Sequence, residues 1–232
     1  MVKQVVLLAG GKGTRMRELT ETVPKPMVEI GGIPVLKHLI SIFEVFDNFE
    51  FIISSGYKSE IIENYFKNTK NVKVINTGDE TNTGGRVYKL SDHLDENFIV
   101  TYGDGLANVN INNLVDFHKN HGDVATITVT NPVSRFGLVD FDGNNVVKKF
   151  IEKPKLDGFI NIGFFVFNIK VLEYLNDDCI LETTPLSNLA KDSALHAFKH
   201  FGYFEPMDTY REYLQLNKYW ESGNPPWLSF DK

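Results

Sequence analysis

Five charged side chains, Arg15, Lys25, Asp104, Lys153 and Asp208, stand in short segments beside glycines, prolines or the ends of apolar runs. Two acids and three cations held this way suit the handling of phosphates and of a hard cation, because carboxylates ligate magnesium and fixed positive charge neutralises phosphate oxygens. The densest such segment is VVLLAGGKGTRMRELTETVPKPMVEIGG, Val5 to Gly32. Its apolar run Val5–Ala9 is short enough for a buried strand and ends at Gly10-Gly11. Gly13, Thr14 and Arg15 follow, and Lys25 comes later between Pro24 and Pro26. Glycines let backbone N–H groups approach a ligand and turn onto phosphate oxygens, while Arg15 and Lys25 add charge. A loop that holds a polyphosphate is the functional reading, and an ordinary turn after a strand is the alternative. The spacing fits neither a Walker P-loop nor the dinucleotide fingerprint.

The other candidate segments carry the same ambiguity. Asp104 lies between Gly103 and Gly105, directly after the apolar run FIVTY. The carboxyl end of a central strand is where open α/β sheets bind ligands, although Asp-Gly is also a common turn. Asp208, in EPMDT, precedes a helix expected over residues 210–220, where an N-cap role would suffice. In TGDETNTGGR, residues 77–86, Gly84-Gly85 precede an amphipathic helix expected over residues 86–94. Thr83, Gly84 and Arg86 could meet an anion there, or the segment could be a surface loop. In Glu152-Lys153-Pro154 the glutamate can accept from two hydroxyls and the lysine can hold a phosphate, unless the triplet is solvated charge before a proline stop. His196 and His200 do not stand at metal-ligand spacing with one another or with Cys179, so no zinc site is expected.

These residues need a scaffold. Helical spacing of apolar residues predicts helices over residues 34–46, 58–66, 112–120, 171–175 and 185–191. Strands are expected over residues 50–54, 72–76, 98–102 and 124–130, with 137–141 and 146–152 joined through Asp142-Gly143-Asn144-Asn145 as a hairpin and 196–204 as an outer strand. Alternating strands and helices imply an α/β layer with a largely parallel sheet. The chain has 232 residues, 42% hydrophobic and 12% aromatic, enough for one large domain. A net charge of −6 argues against nucleic acid or an anionic membrane surface as a partner. The single cysteine, Cys179, excludes an internal disulfide framework. The N-terminal apolar run is shorter than a signal-peptide core and no window approaches a membrane span, so a cytoplasmic protein is expected.

GGKGTR followed by PKPM resembles the signature of the sugar-1-phosphate nucleotidyltransferases. The resemblance runs nearly the whole length, through GYKSE, TGDETNTGGR, TYGDGLA, RFG, EKPK, FINIGFFVFN, PMDTYRE and NPPW, and within the family it is nearest to the glucose-1-phosphate cytidylyltransferases. It implies a Rossmann-like, GT-A-like three-layer α/β/α sandwich with a mixed, mostly parallel sheet, in one domain over residues 1–232. The nucleotide-binding half would cover about residues 1–110 and the sugar-binding half about 111–232.

The resemblance also implies roles. Leu8, Ala9, Gly10, Gly11, Gly13, Thr14, Arg15, Lys25, Thr83, Gly84, Arg86 and Gly103 would bind the nucleoside triphosphate. Gly84-Gly85 would pack against the base, Asp104 and Asp208 would hold Mg²⁺, and Arg15, Lys25 and Asp104 would be catalytic. Glu152, Lys153, Asn161 and Gly163 would bind the sugar-1-phosphate, with Ile162 standing where the relatives carry glycine. The triphosphate expected is CTP, with another sugar phosphate, GTP or dTTP as alternatives. A glycosyltransferase of similar architecture would be expected to carry an Asp-x-Asp motif, whereas Asp104 is followed by Gly105 and Leu106. The connection from Phe66 to Thr77 is shorter than in the glucose enzymes, and a homo-oligomer is left open.

Overall fold

The computed structural model describes residues 2–230. Its central strands follow the apolar runs: β1 Gln4–Leu8, β2 Glu50–Ser55, β3 Val72–Asn76, β4 Asn97–Tyr102, β5 Gly105–Ala107 and β6 Ala125–Thr130. The later strands are β7 Leu138–Phe141, β8 Val147–Ile151, β9 Ile160–Asn161, β10 Phe165–Asn168, β11 Leu195–Lys199 and β12 Phe204–Pro206. The principal helices are α1 Val35–Glu44, α2 Ser59–Phe66, α3 Thr83–Tyr88, α4 Ile111–His121, α5 Thr184–Lys191 and α6 Tyr210–Glu221. The main sheet runs β9-β6-β10-β4-β1-β2-β3, with β11 on the other side of β6. β1 to β4 are mutually parallel, β11 is parallel to β6, and β10 is antiparallel to both β4 and β6. The result is a mixed, mostly parallel sheet.

Side chains alternate across a strand, so a strand buried on both faces carries apolar side chains on both. β1 does this: Val5 and Leu7 enter one core with Phe51, Phe43, Ile99 and Phe164, while Val6 and Leu8 enter the other with Ile52, Phe98, Phe165 and Phe167. Helices α1, α2, α4 and α6 contribute to the first core, and α3 and α5 to the second. That gives the three layers.

Several local details differ from the sequence expectation. The helix expected over residues 86–94 begins earlier, as α3 over Thr83–Tyr88, and is followed by a separate 3₁₀ turn at Ser91–His93. The outer strand expected over residues 196–204 is two strands, β11 in the main sheet and β12 paired with β5. Between them Gly202 lets Asn108 come close, since a Cβ there would lie 2.3 Å from Asn108 Oδ1, which accepts from Tyr203 N. The segment over residues 171–175 is a 3₁₀ helix, Ile169–Tyr174. The hairpin of β7 and β8 is present as expected, but as a separate two-stranded ribbon outside the main sheet. Among the described residues no helix is long and apolar enough to cross a membrane.

Candidate active site

The carboxyl ends of β1 and β4 adjoin, because Gly103 N donates to Leu8 O at 3.0 Å. A Cβ at Gly103 would sit 2.9 Å from that carbonyl, so glycine is required for the approach. The loop after β1 is supported from below by Arg86. That side chain is buried, donates from Nη1 to Ser55 O at 2.9 Å and Thr77 Oγ1 at 2.7 Å, and lies where a Cβ on Gly10 would be 1.9 Å from it. Gly11 has nothing within 4 Å of its Cβ position, so its backbone is open to a ligand. Gly13 takes the left-handed φ of 62° that starts the Thr14–Met16 turn.

Both acids arrive on paired strands. β12 pairs antiparallel with β5, with Pro206 opposite Gly105, and Met207 N donates to Asp104 O at 2.9 Å. Asp104 and Asp208 therefore sit side by side at one end of the same short ladder. Between them lies one cation: Lys25 Nζ is 2.5 Å from Asp104 Oδ2 and 2.6 Å from Asp208 Oδ1. Arg15 Nη1 reaches the other oxygen of Asp208 at 2.9 Å. Burial alone would lower the Lys25 pKa, but the two carboxylates outweigh it and hold the ammonium above its usual range. Burial likewise pushes Asp208 upward, and Lys25 and Arg15 overcome that to leave it below the ordinary carboxylate value.

The helix after Asp208 does not use it as a cap. Thr209 is the N-cap of α6, and its hydroxyl accepts from Glu212 N while the Glu212 carboxylate accepts from Thr209 N at 2.9 Å and Asp208 N at 2.8 Å. This capping box satisfies the helix terminus and leaves the Asp208 side chain free for Lys25 and Arg15. Glu212 also pairs with Arg135 at 2.9 Å, tying the ribbon's base to the helix that presents Asp208. Glu212 is absent from the sequence reading, yet Thr209-x-x-Glu212 is the capping-box spacing and could have flagged it.

An open cleft of about 450 Å³ joins these parts, lined by Leu8, Ala9, Gly10, Gly11, Gly13, Thr14, Arg15, Lys25, Thr83, Arg86, Gly103 and Asp104 among the residues expected. It also includes Lys12, Pro26, Tyr102 and the loop Asp79–Asn82, which the sequence reading left without a role. Gly84 lies outside this lining. A Cβ on Gly84 would be 2.4 Å from Cys179 Sγ, and one on Gly85 would be 2.3 Å from Asp177 O. Glycine at this point therefore permits the helix to pack closely on that loop. Thr83 donates to Glu182 Oε2 at 2.7 Å, and Tyr102 donates to Glu182 Oε1 at 2.5 Å. Burial first, and then Glu182, raise the pKa of Tyr102 and keep its phenol protonated. No local pattern points to Glu182; it joins the site only through the fold.

The four sugar-side residues lie outside that lining. Asn161 folds back on its own segment, accepting from Gly163 N at 3.0 Å and donating to Tyr102 OH at 3.3 Å. Gly163, at φ 80°, packs on the Tyr102 ring, while Ile162 is buried. Glu152 and Lys153 follow β8 and are exposed, 3.7 Å from one another.

The chain matches the Nucleotidyl transferase family over residues 4–220. It belongs to that family. A glucose-1-phosphate cytidylyltransferase of Salmonella typhi is 41% identical to this nucleotidyl transferase, covering 98% of the chain and 100% of the relative. A probable glucose-1-phosphate cytidylyltransferase of Bacillus subtilis is 39% identical, covering 97% and 98%. Both alignments, over 257 and 251 positions, are longer than this 232-residue nucleotidyl transferase, so the relatives carry residues with no counterpart here. The fold of HddC from Yersinia pseudotuberculosis is similar, with a TM-score of 0.73 at 26% identity, covering 94% of this chain and 100% of that one.

Three clustered side chains run against the expectation of no metal-ligand grouping around the late histidines. His196 meets His121 and Asp123 in space, with their ligand atoms all within 4.8 Å of one another. His121 and Asp123 stand two residues apart, and His196 joins them from 75 residues beyond His121.

Proposed function

We propose that this nucleotidyl transferase joins a sugar-1-phosphate to a nucleoside triphosphate with release of pyrophosphate, and that its preferred substrates are CTP and glucose-1-phosphate. The observation that carries the reading is the convergence of Asp104 and Asp208 on the Lys25 ammonium beside an open glycine loop. The choice of CTP and glucose rests on the near-full-length similarity to the cytidylyltransferases.

The two reactants are both anions, so gathering them is the main difficulty, and phosphoryl chemistry asks for positioning and charge neutralisation more than covalent help. The Gly11 and Gly13 backbone and Thr14 would hold the β- and γ-phosphates, with Arg15 fixing the pyrophosphate as it departs. Lys25 would contact the α-phosphate and the incoming sugar phosphate. A sugar-phosphate oxygen attacks the α-phosphorus, and the bond to the bridging oxygen of the pyrophosphate breaks in line. No general base is needed, because a phosphate monoester with a second pKa near 6 is already largely dianionic at about pH 7. Glu152 and Asn161 would accept and donate hydrogen bonds with sugar hydroxyls, and Lys153 would steady the sugar phosphate.

An all-oxygen pair of carboxylates that already converges on one cationic group fits a hard divalent ion, and Asp104 with Asp208 would hold Mg²⁺. When bound, the ion would neutralise triphosphate charge beyond what Arg15 and Lys25 reach.

The test is a matrix of CTP, GTP, dTTP, UTP and ATP against several sugar-1-phosphates with Mg²⁺, followed by pyrophosphate release. CTP with glucose-1-phosphate should be the fastest pair. A faster pair would move the specificity, and no release from any pair would remove the activity.

A further inference from the structure

The edge of the sheet opposite the cleft carries a second constellation. β6 and β11 begin there, and Asp123 lines a cleft with Asn97, the first residue of β4, whereas Asp104 lies two residues past the other end of that strand. His121 ends α4, Gly122 turns the chain with φ 70°, and Asp123 leads into β6. His196 comes from 73 residues further on, the second residue of β11, in register with Thr126. We propose that His121, Asp123 and His196 bind a divalent transition-metal ion, Zn²⁺ being the best match, which staples the end of α4 to the outer strand β11.

The donor chemistry argues for the ion class. Two imidazoles and a carboxylate suit zinc or its neighbours, whereas magnesium takes oxygen ligands. His196 Nε2 is 2.5 Å and His121 Nδ1 3.8 Å from the same oxygen, Asp123 Oδ2. The ring of His121 is already oriented by outer partners. Its Nδ1 accepts from Asp123 N at 3.0 Å, so this nitrogen carries a lone pair, and Nε2 donates to Thr126 Oγ1 at 2.7 Å. The Thr126 hydroxyl is in turn within 2.9 Å of Nδ1 of the buried His118. A histidine whose second nitrogen is held this way is the usual arrangement behind a metal ligand.

One adjustment is required. The rings of His121 and His196 are stacked, with centroids 3.9 Å apart and planes 12° apart, and an ion cannot lie in both ring planes at once. His196 is about a third exposed, so it is the ring free to turn out of the stack, while the exposed Asp123 N–H returns to water. Nitrogen and oxygen donors then close to about 2.0–2.2 Å from the ion, and water completes the shell.

The full chain, stripped with a chelator and returned to buffer containing Mg²⁺, is titrated with Zn²⁺ by calorimetry and with Co²⁺ by visible absorption. The expected result is one Zn²⁺ per chain at this site, a raised Tm, and the d–d bands of a nitrogen-ligated four- or five-coordinate Co²⁺. His196→Asn and Asp123→Asn should each weaken binding at least tenfold and abolish those bands. Asp104→Asn should leave them in place, and pyrophosphate release by His196→Asn should be unchanged. Absence of Zn²⁺ binding, affinity unaltered by His196→Asn, or a Co²⁺ spectrum of oxygen-only six-coordination overturns the site. Because His196 is partly exposed on an outer strand, its variant keeps the test valid should Asp123→Asn misfold.

Discussion

The corner that holds Lys25 and the ribbon that holds Lys153 are both short, charged, proline-bearing stretches, yet the fold treats them in opposite ways. The Lys25 side chain is 11% exposed and fixed by two carboxylates at the end of a ladder whose strands belong to the first core. The Lys153 side chain is 51% exposed, its closest charged partner is the neighbouring Glu152, and every residue of β7 is exposed. A two-stranded ribbon is marginal on its own, and this one is held at its base by Ser134 N to Pro154 O, by Asn131 to Leu156 O, and by Arg135 to Glu212. Burial strengthens an ion pair and fixes its geometry, whereas an exposed pair contributes little and holds nothing in place. The difference teaches where to expect chemistry that is already arranged and where to expect binding that depends on a ligand or a partner surface.

The largest effect should come from testing that contrast at the lysines. Lys25→Ala should lower kcat by about 10²–10³ with circular dichroism unchanged, the loss typical of one transition-state charge donor. Lys153→Ala should act mainly through the KM of the sugar phosphate. A full rate in Lys25→Ala would take that residue out of the mechanism.

Next comes the packing under each region. Phe164 is fully buried and stacks on Phe43 at 5.9 Å, so Phe164→Ala should cost about 3–5 kcal/mol in denaturant unfolding. Phe150 is 63% exposed, and Phe150→Ala should stay within about 0.5 kcal/mol. A comparable loss at Phe150 would mean that the ribbon is covered in solution.

Within the glycine loop the two neighbours should separate. Gly10→Ala drives a methyl into the Arg86 guanidinium and should destabilise by about 1–3 kcal/mol. Gly11→Ala meets nothing, so its melting temperature should hold while the KM for the triphosphate rises. Equal stability losses would show that the loop is not held as described.

The smallest effect is a pH slope. His38 is buried, donates from Nε2 to Ile30 O at 2.9 Å, and packs edge-on to Trp220 and Trp227. Burial holds its pKa below the ordinary 6.5. The unfolded chain therefore takes up the proton first, so this contribution is complete above about pH 6.5 and declines as the pH falls below it. His38→Gln should flatten the slope of Tm against pH in that window; an unchanged slope would assign it to other groups.

Much of this architecture can be read along the chain, for identifiable reasons. β1 is apolar from Val5 to Leu8 because both faces are covered there, and Gly-Gly after it marks where backbone must come close. Its neighbours in the loop do different work, however: Gly10 accommodates Arg86 from below while Gly11 is open above. The resemblance to a known family placed Asp208 beside Asp104, whereas the residues alone allowed a helix cap; Thr209 took that role. Arg86 and Gly84 illustrate the opposite case. Their types suit an anion site, but Arg86 is engaged by Ser55 and Thr77, and Gly84 faces Cys179, contacts that depend on loops distant in sequence.

What the sequence by itself determined is the order of strands and helices, the glycine turns and the supply of cations and acids, since these follow from side-chain periodicity and backbone freedom over a few residues. Only the tertiary structure decided that Lys25 lies between Asp104 and Asp208, that Glu182 joins Thr83 to Tyr102, and that His196 meets His121 and Asp123. Those contacts join segments many tens of residues apart, and such pairing is set by strand order and register, which no local pattern encodes.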